Sequence, residues 1–401
     1  MFGSPETPMN QPPNPSVQGR GAADNPANRF ERTHYAPDED PQPFFDDDND
    51  PAEGEEAVRS QSKIENQKSK ITHYLPDHSR TVIASNNSPD IPFARSINPY
   101  RGCSHGCIYC YARPTHEYLG MSAGLDFETK ILVKHNAPEL LRAELAAKSW
   151  QTQMIAFSGV TDCYQPIERK LQITRRCLEV LLDFRNPVGI TTKNHLVTRD
   201  LDLLAQLAAF DCVQVFISLT TLDQHLTQIM EPRTSVPRDR LRTIRELSAA
   251  GIPVGVLVAP VIPALTDHEM PAILAAAKEA GAISAACVPL RLPFAVKDLF
   301  ADWLDRHLPD RKAKILNRLR DLRGGRLNDP NLGSRMEGQG VWAEHIARTF
   351  HLHATRLGLN KEECRLSTGH FRRPGEAGAG AEQMALFPED GFKARPGKRV
   401  C

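Results

Sequence analysis

No apolar run in this 401-residue chain approaches the roughly 20 residues that a membrane-crossing helix needs. A soluble protein is expected. The chain also opens without a basic-then-apolar segment of the kind that directs export, so a reducing, cytoplasmic compartment is expected. Net charge is lacking too: 49 Lys and Arg balance 49 Asp and Glu, and these totals argue neither for nor against nucleic acid. The charges are unevenly spread, with acidic residues gathered in 38–56 and basic ones between Lys393 and Arg399. Cysteine is scarce, and its count is odd. Of nine, six stand singly at Cys163, Cys177, Cys212, Cys287, Cys364 and Cys401, which argues against a disulfide framework.

The other three cysteines organise the chain. They lie in Cys103-Ser104-His105-Gly106-Cys107-Ile108-Tyr109-Cys110, a C-x-x-x-C-x-x-C loop that follows an extended segment, Ser96 to Gly102. Three sulfurs that close can share one inorganic centre. Iron–sulfur clusters and zinc normally take four ligands, so a count of three leaves one position for something that is not protein. Zinc completed by His105 or His116 is the plainer alternative. Structural zinc ligands usually come as two separated pairs, and the chain has no second C-x-x-C.

Composition divides the remainder. Residues 1–60 are rich in Pro, Asn, Asp, Glu and Gly with no sustained apolar period, and are expected to be disordered apart from a local anchor at Arg29-Phe30-Glu31. Residues 61–94 form an edge segment with candidate strands at Ile71–Leu75 and Thr81–Ala84. From 95 to 290, short β-branched runs alternate with stretches of helical period. Strands are expected at Ile97–Tyr100, Met154–Ser158, Val188–Thr192, Val213–Leu219, Val254–Ala259 and Ile283–Val288. Helices are expected at Pro138–Trp150, Glu168–Phe184, Asp200–Phe210, Pro237–Ala250 and Asp267–Ala280. This is an α/β chain whose repeated βα units make a (β/α)6 partial TIM barrel, with the polar clusters at the carboxyl ends of the strands.

The cysteine spacing, with the aromatic Tyr109 before the last thiol, resembles the cluster loop of the radical S-adenosylmethionine (SAM) superfamily. The resemblance implies a [4Fe-4S] cluster on Cys103, Cys107 and Cys110, with SAM chelated at the open iron. It also implies reductive cleavage of SAM to a 5′-deoxyadenosyl radical, fed by an electron donor of flavodoxin or ferredoxin type. Gly159 and Asp162, after the second strand, match the place where the family's backbone receives the SAM amino group. Lys193, Ser218 and Arg233 are candidates for the carboxylate or ribose, against the alternative that strand-end hydroxyls cap helices and that Glu231 pairs with Arg233.

Within the superfamily, several stretches resemble the spore photoproduct lyase-like group, often labelled DNA repair photolyase. They are Asn98-Pro99-Tyr100-Arg101-Gly102, Thr161 to Glu168, Glu231-Pro232-Arg233 and Pro260 to Pro263. That resemblance implies DNA as substrate and a lyase-like repair reaction. One position departs from it: where those lyases carry a hydrogen-returning cysteine, this chain has Gly159. Cys163 is the candidate substitute, against the alternative of a small packing residue. Two other readings stay open, a radical SAM enzyme acting on a protein or small metabolite and a non-catalytic iron–sulfur or zinc scaffold.

The C-terminal third, 291–373, is expected to be a helical extension. Arg311 to Arg326 carries an apolar stripe at Ile315, Leu319 and Leu322 and reads as a solvated helix face, with nucleic-acid phosphates as the alternative. A flexible tail, 374–401, follows. Within it, Gln383-Met384-Ala385-Leu386-Phe387 resembles a motif that binds bacterial DNA sliding clamps.

Overall fold

A computed structural model describes residues 19–30, 71–362 and 364–375, and in it the alternating pattern folds into one dominant sheet. The described strands are β1 (His73–Pro76), β2 (Ile83–Ser85), β3 (Arg95–Ile97), β4 (Tyr100–Arg101), β5 (Lys130–Val133), β6 (Ile155–Phe157), β7 (Val188–Thr192), β8 (Val213–Ser218), β9 (Val254–Val261) and β10 (Ser284–Pro289). β3, β6, β7, β8, β9 and β10 lie parallel and in chain order, and β2 adds antiparallel to β3 at one edge. Helices fill the crossovers. The result is the expected partial barrel.

Residue alternation along each strand decides which surface is packed. Val188 and Ile190, Val213, Val215 and Ile217, and Val254, Val256 and Val258 are buried in one apolar cluster with Leu178, Leu181, Leu204, Leu247 and Ile273 of the crossover helices. The intervening Gly189, Thr191, Gln214, Phe216, Leu257 and Ala259 are only half-buried, and they line the inner face. Helix ends follow the sequence signals. Pro237 opens Pro237–Ala249, and Gly251 beyond it takes φ +74°, a left-handed turn that glycine adopts without strain.

Four details differ from the sequence expectation. The first strand is split, because Pro99 has no N–H to donate. Arg95–Ile97 pairs in the barrel, and Tyr100–Arg101 crosses to a small sheet of order β1, β5, β4, whose member β5 was not anticipated. The single helix expected over Glu168–Phe184 is two, Glu168–Leu171 and Ile173–Phe184, broken at Gln172 in left-handed conformation. The buried Glu168 carboxylate causes the break by accepting the N–H groups of Ile173 and Thr174, each at 3.1 Å. β1 pairs with β5 rather than with the barrel edge.

The fourth difference is that residues 19–30 are not a solvated part of the N-terminal tail. Arg20, Ala22 and Asn28 are buried, and Arg20 Nη1 donates to the Glu128 carbonyl at 3.0 Å. Polar contacts seat this segment where apolar periodicity gave no signal. Residues 38–56, Lys393 to Arg399 and Gln383 to Phe387 lie outside the described residues.

Beyond the barrel come helices Val296–His307, Pro309–Leu322, Ser334–Glu337 and Gly340–Arg356. The stripe Ile315, Leu319 and Leu322 is buried. Ile315 and Leu319 share a second apolar cluster with Phe300, Trp303 and, from the cysteine loop, Cys107, Ile108 and Tyr109. The extension therefore backs that loop. The two edges of the barrel sheet are joined by side chains. Arg335 donates to both oxygens of Asp90, in the β2–β3 loop, at 2.6 Å each. Arg323 donates to the Leu290 carbonyl just past β10 at 2.8 Å and to the Arg335 carbonyl at 2.8 Å. No described helix is long and apolar enough to cross a membrane.

Candidate active site

The cysteine loop leaves β4 through Gly102 and is fixed by its own backbone. The Cys103 N–H donates to the Phe127 carbonyl at 2.9 Å, Cys110 N–H to Cys107 O at 3.2 Å, and Ile108 N–H to Met230 O at 3.1 Å. Side chains from the second strand end complete the support. Thr161 Oγ1 donates to Gly102 O at 2.7 Å, and Gln165 Oε1 accepts the Ser104 N–H at 3.0 Å. Beneath the loop, the buried Arg113 guanidinium donates to Cys107 O, Ala123 O and Gly124 O and pairs with Glu128. Glu128 in turn accepts the N–H groups of Gly21 and Ala22 at 3.1 and 2.9 Å.

All three thiols are free, Cys103 and Cys107 buried and Cys110 partly so. Burial, reinforced by its neighbour Cys103, pushes the Cys110 thiol up to about 11; burial and Glu231 push the Cys107 thiol well above its ordinary range. Thiolates at Cys107 and Cys110 therefore require a cation beside them. Arg113 and Lys193 supply part of the surrounding positive charge. Among the described residues no three His, Cys, Asp or Glu side chains converge as ligands of a single metal ion.

Two buried carboxylates organise the strand ends opposite. Asp162 accepts Thr192 Oγ1 at 2.8 Å, the Lys193 N–H at 2.9 Å and the Tyr164 N–H at 2.9 Å, and meets His105 Nδ1 at 3.3 Å. Burial raises the cost of its charge, but the His105 cation and these bonds hold its pKa below the usual carboxylate range. Burial alone would depress His105, yet Asp162 and the Cys103 sulfur raise it to about 10. The other carboxylate, Glu231, accepts Thr220 Oγ1 at 2.8 Å and also the Tyr109 hydroxyl and Arg240 guanidinium. Despite burial, Arg240 and Lys193 hold it down to about 2.

Several predicted site residues thus come together. Lys193 Nζ donates to Ser218 Oγ at 2.5 Å and to Ala259 O at 3.2 Å, and stands 3.7 Å from Glu231 and 5.7 Å from the Tyr109 ring centroid. Asp162 is bound to the Lys193 backbone. Gly159 lies beside the loop, its carbonyl accepting the Tyr111 hydroxyl at 2.7 Å. Arg233 is placed apart. Its guanidinium reaches Gly19 O at 3.1 Å and Thr72 Oγ1 at 3.4 Å, and the partner of Glu231 is Arg240 instead. Cys163, the candidate hydrogen donor, is fully buried in the main apolar cluster, together with Ile173 and Cys177 of helix Ile173–Phe184. Arg240 and Gln165 were missed. Arg240 sits on an otherwise ordinary amphipathic helix with nothing to single it out, whereas Gln165 lies in the strand-end run that sequence reading did mark.

A six-stranded parallel partial barrel with three thiols at the carboxyl end of its first strand defines a class, and the radical SAM superfamily profile matches residues 97–277. The chain belongs to the radical SAM superfamily, whose cofactors are a [4Fe-4S] cluster and SAM. It is 38% identical over 238 residues to the uncharacterized protein Rv2578c of Mycobacterium tuberculosis, covering 59% of this chain and 69% of that one. It is 31% identical over 184 residues to the uncharacterized protein MJ0683 of Methanocaldococcus jannaschii, covering 46% and 66%. Among solved structures it resembles spore photoproduct lyase complexed with dinucleoside spore photoproduct, with TM-score 0.53 and 17% identity over 71% of this chain and 80% of that one. A variant of that lyase with bound AdoMet and the dinucleoside photoproduct gives TM-score 0.54 and 16% identity over 73% and 82%. At such identities the likeness is one of fold.

Proposed function

We propose that Cys103, Cys107 and Cys110 hold the [4Fe-4S] cluster and that the chain reductively cleaves SAM to start radical chemistry on a nucleic acid, in a reaction of lyase type. The observation that carries this reading is the placement of three free thiols in one loop facing the Lys193–Ser218–Glu231 group. Bound there, cluster and SAM supply a one-electron cleavage that yields a 5′-deoxyadenosyl radical. The chain's own residues do the positioning. Lys193, paired with the Glu231 carboxylate and oriented by Ser218 and Ala259, offers an ammonium to the SAM carboxylate. Tyr109, locked by Glu231 and Thr220, fixes the wall between Cys107 and Cys110. The half-buried Leu257 and Ala259 give the apolar side against adenine. A flavodoxin- or ferredoxin-type protein is the electron donor in this reading.

The nucleic-acid assignment draws on the shared fold with spore photoproduct lyase and on the matching strand-end residues. Gly159 sets this chain apart. A side chain there is sterically admissible, since a Cβ would come no nearer than 3.4 Å to Ser96 Oγ, yet the chain carries none, and this favours a second reading: the same radical chemistry on a protein or small metabolite. Anaerobic reconstitution with iron, sulfide, dithionite and SAM tests the first half. Release of 5′-deoxyadenosine, lost in each of Cys103→Ala, Cys107→Ala and Cys110→Ala together with cluster absorbance, is expected; intact absorbance in any of the three overturns the ligand assignment. Deuterium passing from labelled irradiated DNA into 5′-deoxyadenosine supports the lyase reading. Deuterium passing into 5′-deoxyadenosine only from a labelled protein or metabolite fraction of cell extract supports the other.

A further inference from the structure

Just past β10 the chain runs Leu290-Arg291-Leu292. Both leucines are buried in the second apolar cluster, so Arg291 between them turns the other way, toward the rim of the barrel, and is half-buried. Its surroundings are incomplete. Arg291 Nη1 donates to the Met336 thioether at 3.1 Å, a weak acceptor, and its buried Nε–H has no acceptor among the described residues. Among the described residues no carboxylate pairs with it.

The nearby carboxylates are engaged elsewhere. Asp90 is taken by Arg335 at 2.6 Å and by Ser88 Oγ at 2.7 Å. Asp329 is taken by Ser334 Oγ at 2.6 Å and the Asn331 N–H at 2.9 Å. The adjacent Arg323, itself buried, spends its terminal N–H groups on the carbonyls of Pro289, Leu290, Ser334 and Arg335 and adds a second cation without a carboxylate. A partly desolvated guanidinium whose only acceptor is sulfur is unfavourable unless an anion completes it. Tyr111, next in sequence to Cys110 and 56% exposed, lies close enough to Arg291 to be influenced by its charge.

We propose that Arg291 binds a phosphate group of the substrate at the rim of the barrel, beside Tyr111 and the cysteine loop. The planar fork of a guanidinium matches phosphate oxygens in pairs, and here its donors are held ready by the burial of its neighbours. This inference rests on the nucleic-acid reading above and narrows it to a phosphate-bearing ligand that enters past β10. The phosphate belongs either to a polynucleotide or to a free nucleotide.

The test is binding of fluorescently labelled oligothymidylate to the reconstituted full-length holoprotein, by anisotropy across a salt series, with thymidine 5′-monophosphate and thymidine as competitors. Arg291→Gln is expected to weaken oligothymidylate binding about tenfold and to flatten the log–log salt slope by about 0.7, one single-strand phosphate contact. Arg291→Lys, which keeps the charge and loses the fork, is expected to keep the slope and part of the affinity. It also serves as the second variant should the glutamine disturb folding, as cluster absorbance would report. Competition by the monophosphate, and not by thymidine, supports the phosphate site with the free nucleotide as source. Binding of the oligonucleotide alone supports a polynucleotide. Equal affinity and slope in wild type and both variants overturn the role of Arg291 and leave the nucleic-acid reading standing. A wild-type protein that binds neither oligonucleotide nor monophosphate overturns that reading and this site with it.

Discussion

The Arg113 guanidinium and the Glu128 carboxylate meet with neither side chain exposed, and between them they hold both the cysteine loop and residues 20–22. Arg113 bonds Cys107 O from below, and Glu128 accepts the backbone of Gly21 and Ala22. Glu128→Gln is expected to destabilise the protein by about 3–5 kcal/mol, because it leaves a buried cation without its charge partner. Urea denaturation of wild type and variant measures this directly, and an unchanged midpoint would show the pair to be dispensable.

Seating of the N-terminal segment is tested separately at Gly21. A Cβ there would stand 1.9 Å from the Gly106 carbonyl oxygen, a backbone atom on the cysteine loop that cannot swing aside. Gly21→Ala should release residues 19–30 from the loop. Hydrogen exchange of the Gly21 and Ala22 amides is expected to rise at least tenfold, with a smaller fall in global stability than Glu128→Gln produces. Protected amides in the variant would contradict the contact.

His116 carries a pH dependence. Burial depresses it from 6.5 to about 4, and its Nε2 faces Lys130 O at 2.9 Å. Between these values the unfolded chain takes up a proton that the folded chain refuses, so stability falls as pH drops from 6.5 toward 4. The loss from this one group is about 3 kcal/mol. Thermal midpoints measured across that window should slope downward toward acid, and His116→Gln should flatten the slope. Parallel curves for the two proteins would assign the acid sensitivity to other groups.

Cys163 distinguishes packing from chemistry. Its thiol is fully buried among apolar side chains, and Cys163→Ser places a hydroxyl there at a cost of about 1–3 kcal/mol. Iron content and 5′-deoxyadenosine formation are expected to match wild type. A variant of normal stability that makes radical but no product would instead return Cys163 to the reaction.

Much of this arrangement is legible in the sequence because it follows from local period and spacing. The strands Val188–Thr192 and Val213–Ser218 announce themselves by β-branched runs, and the cysteine loop by its spacing. What stays hidden depends on distant polar partners. Nothing near Glu168 foretells that its carboxylate will cap Ile173 and break a helix of continuous amphipathic period. Arg240 meets Glu231 only once helix Pro237–Ala249 packs beneath Ser218. Arg20 and Asn28 look like parts of a solvated tail until Glu128 and the Glu117 carbonyl take up their hydrogen bonds. Arg233 shows the converse: a charge placed near the site by sequence turns to Gly19 and Thr72 in space.

The Asp90–Arg335 contact closes the interval between first and last barrel strands with side chains instead of a backbone ladder. Circumference is therefore not locked by strand register. Rotating that arginine, or screening its contact with salt, would undo this bridge without costing the sheet a single main-chain pairing.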